Sequence, residues 1–173
     1  MAVNIWLTDE DSDISGYLRA RLTSRSDNPS HVRSVTNTIA GASSGEQATR
    51  TAAGTALAWI TDPLDGTDLT AAAWTLHLWA KESNVLANAA LRFQVFKYDT
   101  KEAAAALLDS NVGTELTTTI ADVQIVTAVA GVTTMADGDR LVFKVLFDDA
   151  VTMATGYTCT LSSNGQFAKA EGD

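Results

Sequence analysis

Residues 74–81 read Trp74-Thr75-Leu76-His77-Leu78-Trp79-Ala80-Lys81, and their alternation decides the fold class. Apolar and polar positions repeat with a period of two, the repeat of a pleated strand whose successive side chains point to opposite faces. Trp74, Leu76, Leu78 and Ala80 share one face; Thr75, His77, Trp79 and Lys81 share the other. A helix would need its apolar residues three and four apart. The first face is therefore expected to meet a core, and the second to look outward with a tryptophan and a histidine on it.

The same period recurs on the C-terminal side. Across residues 90–98, Leu91, Phe93 and Val95 oppose Arg92, Gln94 and Phe96. Residues 122–130 group Val123, Ile125, Thr127 and Val129. Residues 140–148 group Leu141, Phe143, Val145 and Phe147, and residues 156–162 group Tyr157, Cys159 and Leu161. Turn chemistry separates these runs: Asp62-Pro63-Leu64-Asp65-Gly66, Ala130-Gly131, Asp137-Gly138-Asp139 and Thr155-Gly156. Residues 101–108, with a run of alanines, are the one convincing helix former and read equally as a short helix or a loop leading to an edge strand. No strand–helix–strand rhythm and no fixed-period repeat is present. The chain is expected to be all-β: an antiparallel β-sandwich with jelly-roll or Greek-key connections and a less regular N-terminal arm.

That arm is residues 1–50, an arm or a set of extra strands, and residues 51–173 form the sandwich domain. The first part holds a short strand near residues 3–7, an acidic run (Asp9, Glu10, Asp11, Asp13), and an alternating run at 16–22. There Tyr17, Arg19 and Arg21 oppose Leu18, Ala20 and Leu22. A further strand is expected over 31–39 and a Gly/Ser-rich loop over 40–45. The expectation is a docking element outside the core.

Composition narrows the function classes. Among 173 residues, 12 Lys and Arg face 21 Asp and Glu, a formal charge of -9. An acidic chain without a basic stripe repels phosphate backbones, so no nucleic-acid partner is expected. No stretch approaches the roughly 20 apolar residues of a membrane helix, and the N-terminus lacks the pattern of a signal peptide, so no membrane partner is expected. One cysteine, Cys159, excludes an internal disulfide; within its alternating run it reads as a small core residue.

Catalytic chemistry finds little to stand on. His31 and His77 lie on separate segments, without the spacing that gathers metal ligands. Asp137 with Asp139, Asp148 with Asp149, and the run from Asp9 to Asp13 carry the oxygen donors that calcium takes; turn and solvated-loop readings fit them better. The nucleophile elbow, the Walker loop and the dinucleotide fingerprint are all missing. The expectation is a protein that is not an enzyme and takes no cofactor or metal. What stands out is aromatic: Trp79 and His77 outward on one strand, with Phe96 expected to join them from the neighbouring strand. With Trp6, Tyr17, Arg19 and Arg21 they form the candidate interface, for a partner subunit first and a sugar second.

Three segments carry a family resemblance. They are Trp74-Thr75-Leu76-His77-Leu78-Trp79-Ala80-Lys81-Glu82-Ser83-Asn84, Asn88-Ala89-Ala90-Leu91-Arg92-Phe93-Gln94-Val95-Phe96-Lys97-Tyr98, and Ala136-Asp137-Gly138-Asp139-Arg140-Leu141-Val142-Phe143-Lys144-Val145. Over about residues 50–165 the chain resembles a β-sandwich module of tailed-bacteriophage virion proteins, most like capsid decoration (cement) or head-fibre proteins. In that type the strand ending in Trp-Ala-Lys-Glu-Ser-Asn pairs with the Leu-Arg-Phe strand. The resemblance implies a structural protein on the virion surface, made in the host cytoplasm, that binds and stabilises an assembled shell. Its implied partners are the major capsid protein and sister subunits in a homotrimer. The runner-up it implies is a carbohydrate- or host-receptor-binding module of a tail or head fibre.

Overall fold

The computed structural model describes residues 3–21, 33–38, 47–48, 57–66, 68–149, 154, 156–163 and 169–172. The described part is all-β. Its strands are β1 (Val3–Asp11), β2 (Leu18–Arg21), β3 (Arg33–Thr38), β4 (Gln47–Ala48), β5 (Ala58–Thr61), β6 (Ala72–Glu82) and β7 (Ala89–Asp99). They continue with β8 (Ala104–Val112), β9 (Ala121–Val129), β10 (Arg140–Asp149), β11 (Thr158–Ser163) and β12 (Lys169–Gly172). One 3₁₀ turn spans Val85–Ala87, and no described helix is long and apolar enough to cross a membrane.

The strands form two packed leaves. In the first, β6 lies between β9 on one edge and β11 then β12 on the other, with β3 beyond β11. In the second, β10 lies between β7 and the pair β5 and β4, with β8 beyond β7 and β2 beyond β5. All pairings are antiparallel except β2 with β5. Strand β1 belongs to both leaves: residues 3–6 pair with β12, and the part from Trp6 onward pairs with β2. The opposite margin is tied by side chains. Asn111 Nδ2 donates to the Val126 carbonyl at 2.6 Å, and Asp109 Oδ2 accepts from the Ala128 amide at 2.6 Å, joining edge strands β8 and β9. The sandwich is thereby laced by β1 at one margin and by the β8–β9 seam at the other.

The core lies where the alternation put it. Trp74, Leu76, Leu78 and Ala80 of β6 meet Leu91, Phe93 and Val95 of β7 and Leu141, Phe143, Val145 and Phe147 of β10. Trp74 and Phe143 pack across the leaves with ring centroids 5.5 Å apart, and Phe93 stacks on Phe143 at 6.0 Å. Cys159 is buried in the same core. Burial, and secondarily the charge of Glu82, pushes its thiol up to about 12, so it stays protonated at neutral pH.

Local chemistry fixes the turns. Gly138 takes φ +90° in the Asp137-Gly138 turn, where Asp139 Oδ2 accepts from the Ala136 amide. The segment from Asp62 to Gly66 lies against that turn through Leu64, which exchanges backbone bonds with Asp139 and Gly138. A Cβ on Gly66 would stand 2.8 Å from the Asp137 amide nitrogen, so only glycine fits.

Two expectations change, and of the two readings of residues 101–108 the loop leading to an edge strand is the one found. Residues 3–21 are not a docking element outside the core: Ile5, Leu7, Leu18 and Ala20 are buried in the central cluster. Residues 101–103 form a turn and the alanines that follow enter strand β8, because pairing along β7 outweighs alanine's helix propensity. The strand ending in Trp-Ala-Lys-Glu-Ser-Asn does not pair with the Leu-Arg-Phe strand: β6 and β7 lie in opposite leaves. The strand expected over 31–39 is present as β3, while the loop at 40–45 lies outside the described residues.

Candidate functional site: an aromatic groove on one outer face

Cross-strand partners in a sheet point to the same side, so the register writes out the outer face of the second leaf in rows. Ile60, Val142, Phe96 and Leu107 form one row; Ala58, Lys144, Gln94 and Ser110 form the next. Beyond them stands Arg92, whose Nε donates to Asp148 Oδ2 and whose Nη1 donates to Ser110 Oγ at 3.0 Å. The face thus grades from apolar to polar along the strand direction. A bulge between Val95 and Phe96, where β7 and β8 change register, sits beside the apolar end and re-aims the side chains there.

The loop between β1 and β2 forms the remaining wall. Ser12 Oγ donates to the Ile14 carbonyl and accepts from the Ile14 amide, and the Ser12 amide donates to the Tyr17 carbonyl. Gly16 supplies the left-handed turn at φ +89°. Arg140, buried on the same face, clamps the loop: Nη1 and Nη2 both donate to the Asp13 carboxylate, and Nη1 also donates to the Thr61 carbonyl. The hydrogen bonds from Arg140 hold the Asp13 carboxyl below its usual range. Tyr17 is thereby set edge-on to Tyr98, centroids 6.1 Å apart. Burial, and then the neighbouring Tyr98, pushes its phenol up.

The result is a groove of about 370 Å³ lined by Gly16, Tyr17, Ala58, Phe96, Ala105, Val142 and Lys144. Its volume lies at the small end of the range for small-molecule sites, and an apolar lining with a few polar groups is typical of them. Lys144 is half-buried and has no carboxylate partner among the described residues, whereas Arg19, Arg21, Arg92, Lys97 and Arg140 each hold one.

The residues singled out from sequence scatter over the molecule. Tyr17 and Phe96 meet in the groove. Trp79 and His77 lie on the outer face of the other leaf, so Phe96 does not join them: alternation gives a side chain's face but not its leaf. His77 Nδ1 lies 3.3 Å from Asp122 Oδ2, which also accepts from Gln124 Nε2. Trp6 is half-buried where β1 passes between the leaves. Arg19 and Arg21 are engaged by Asp62 and Glu10. Of the acidic residues that could serve as calcium ligands, Asp139 is held by Lys97, Asp148 by Arg92 and Asp13 by Arg140. Among the described residues, no group of three or more metal-ligating side chains converges. Lys144, Ala58 and Ala105 were missed; the alternation of β10 already put Lys144 on its outer face, and only the strand order was lacking.

No protein-family model and no curated protein matches the chain. Solved structures do. An aminopeptidase from the marine sediment archaeon Thaumarchaeota archaeon superposes with a TM-score of 0.62 at 12% identity, over 99% of this chain and 36% of that one. A CocE/NonD family hydrolase from Staphylococcus aureus gives 0.64 at 9% identity, over 99% and 36%. An alpha-amino acid ester hydrolase gives 0.60 at 11% identity, over 98% and 35%. The likeness is one of fold, and this chain spans little more than a third of the length of these proteins.

Proposed function

We propose that this chain is a non-catalytic structural module of a tailed-bacteriophage particle, a capsid decoration protein that binds the assembled shell, as its sequence resemblance implies. One observation carries the docking part of this reading. Val85 and Leu86 stand side by side at one end of the sandwich, 61% and 60% exposed, directly after the Trp-Ala-Lys-Glu-Ser-Asn run. They are held rigidly. Asn84 caps the 3₁₀ turn by accepting from the Leu86 amide at 2.9 Å, Asn88 closes it in the left-handed region, and Ser83 is tied to Thr158 in both directions. Adjacent apolar side chains displayed on a fixed turn gain by entering a partner's pocket at little cost in entropy. A decoration subunit multiplies such a contact over many shell positions, and a homotrimer suits threefold positions. Hydrolysis is the activity of the whole proteins whose fold this chain shares. The buried, protonated thiol of Cys159 argues against a thiol nucleophile here.

Electron microscopy of purified particles with and without the protein tests the reading. Surface density at regular lattice points supports decoration; density confined to a tail refutes it. In a co-sedimentation assay, Val85→Asp with Leu86→Asp is expected to abolish shell binding while leaving the melting temperature unchanged.

A further inference from the structure

The groove on the second leaf goes beyond that reading and does not depend on where the protein sits. We infer that it is a binding site for a short glycan bearing a single carboxylate, such as a terminal sialic or uronic acid. Tyr17 and Phe96 supply aromatic surface along an apolar floor of Ala58, Ala105 and Val142. A pyranose offers the complement, an apolar C–H face with hydroxyls around its rim, and Tyr and Phe rings bury such faces well. Lys144 supplies the charge. Among the described residues it is the one cation lining the groove, and it has no carboxylate partner among them. Beside it along the same row are Gln94 and Ser110, with Arg92 and Asp148 one step further. An aliphatic peptide or acyl chain would bury Lys144 without a counter-charge, at a desolvation cost. The overall charge of -9 repels polyanions, which favours one carboxylate on a small ligand over a nucleic acid or a heavily sulfated chain. A volume of about 370 Å³ suits a terminal sugar and part of the next, near the lower limit for small-ligand sites.

The test is calorimetric titration of the full chain with sialyllactose and with methyl glucuronide, each set against its own carboxyl methyl ester as the uncharged counterpart. The inference requires that at least one acidic sugar binds, and that its uncharged counterpart binds at least tenfold more weakly. Lys144→Gln should lose at least tenfold and Lys144→Arg should retain most of the affinity. Ala105→Glu, on an exposed position of an edge strand where folding is little affected, should abolish binding by repelling the carboxylate. Failure of both acidic sugars to bind at millimolar concentration overturns the inference, as does equal affinity for the uncharged counterpart or indifference to Lys144→Gln. Binding of an oligoglutamate peptide in the absence of sugar binding also overturns it, and would assign the groove to an acidic protein segment. None of these outcomes bears on lattice density in particle images, so the two readings stand or fall separately.

Discussion

At the scale of single residues, Glu82 follows Trp74, Leu76, Leu78 and Ala80 on the core-facing side of β6. It is 1% exposed; Oε2 accepts from the Ala89 amide at 3.2 Å, and Oε1 has no partner. Burial, reinforced by the negative charge of Glu115, raises its pKa above 4.5. The unfolded chain therefore ionises Glu82 first. The native state has its full share of stability from this group below about that value and loses it as pH climbs through the raised native pKa. Glu82→Gln removes the ionisation. It should flatten this part of the stability–pH curve and raise stability at pH 8, read by urea unfolding at several pH values. Cys159, opposite Glu82 in the β6–β11 ladder, is expected to resist iodoacetamide at pH 8 in the native protein and to react fully in denaturant, by mass spectrometry.

At the scale of elements, the seam between β8 and β9 makes a sharper claim than the ladders do, because it rests on two side chains, Asp109 and Asn111. Replacing both by Ala should cost roughly 1–3 kcal/mol in all. It should also speed exchange of the Ala128 amide well beyond the change seen in the β6–β9 ladder, as followed by hydrogen exchange. The seam also marks the limit of what alternation reveals. Strands β6, β7, β9, β10 and β11 were legible because one face of each is apolar and buried. Strand β8 is legible only as one of two equal readings: its first four residues are exposed, so it has no buried stripe to read, and its alanines favour a helix in isolation. The candidate site was half legible for a related reason. Tyr17 and Phe96 stand out as outward aromatics, but their meeting depends on β2 and β7 flanking β5 and β10 in one leaf, which period-two patterning does not encode. Trp79 was assigned to the same patch and lies on the opposite face of the molecule.

At the scale of the whole molecule, one apolar cluster runs from Ile5 and Leu7 through both leaves to Leu161, and Trp59, fully buried, ties to β1 by donating from Nε1 to the Thr8 carbonyl at 2.8 Å. Leu7→Ala should therefore lower the stability of the entire domain, by about 2–5 kcal/mol, in a single transition by both fluorescence and circular dichroism. A detachable arm would instead leave the main transition unmoved and add a separate early one. The pairing of β1 with β12 sets Val3 opposite Gly172, and this has a mechanical consequence. Tension applied through residues 3 and 172 would peel the two strands apart one hydrogen bond at a time, as a zipper opens, and would never load the ladder in shear. A molecule anchored by both of these ends would yield at low force, whereas one held through the Val85–Leu86 turn would transmit no pull to that seam.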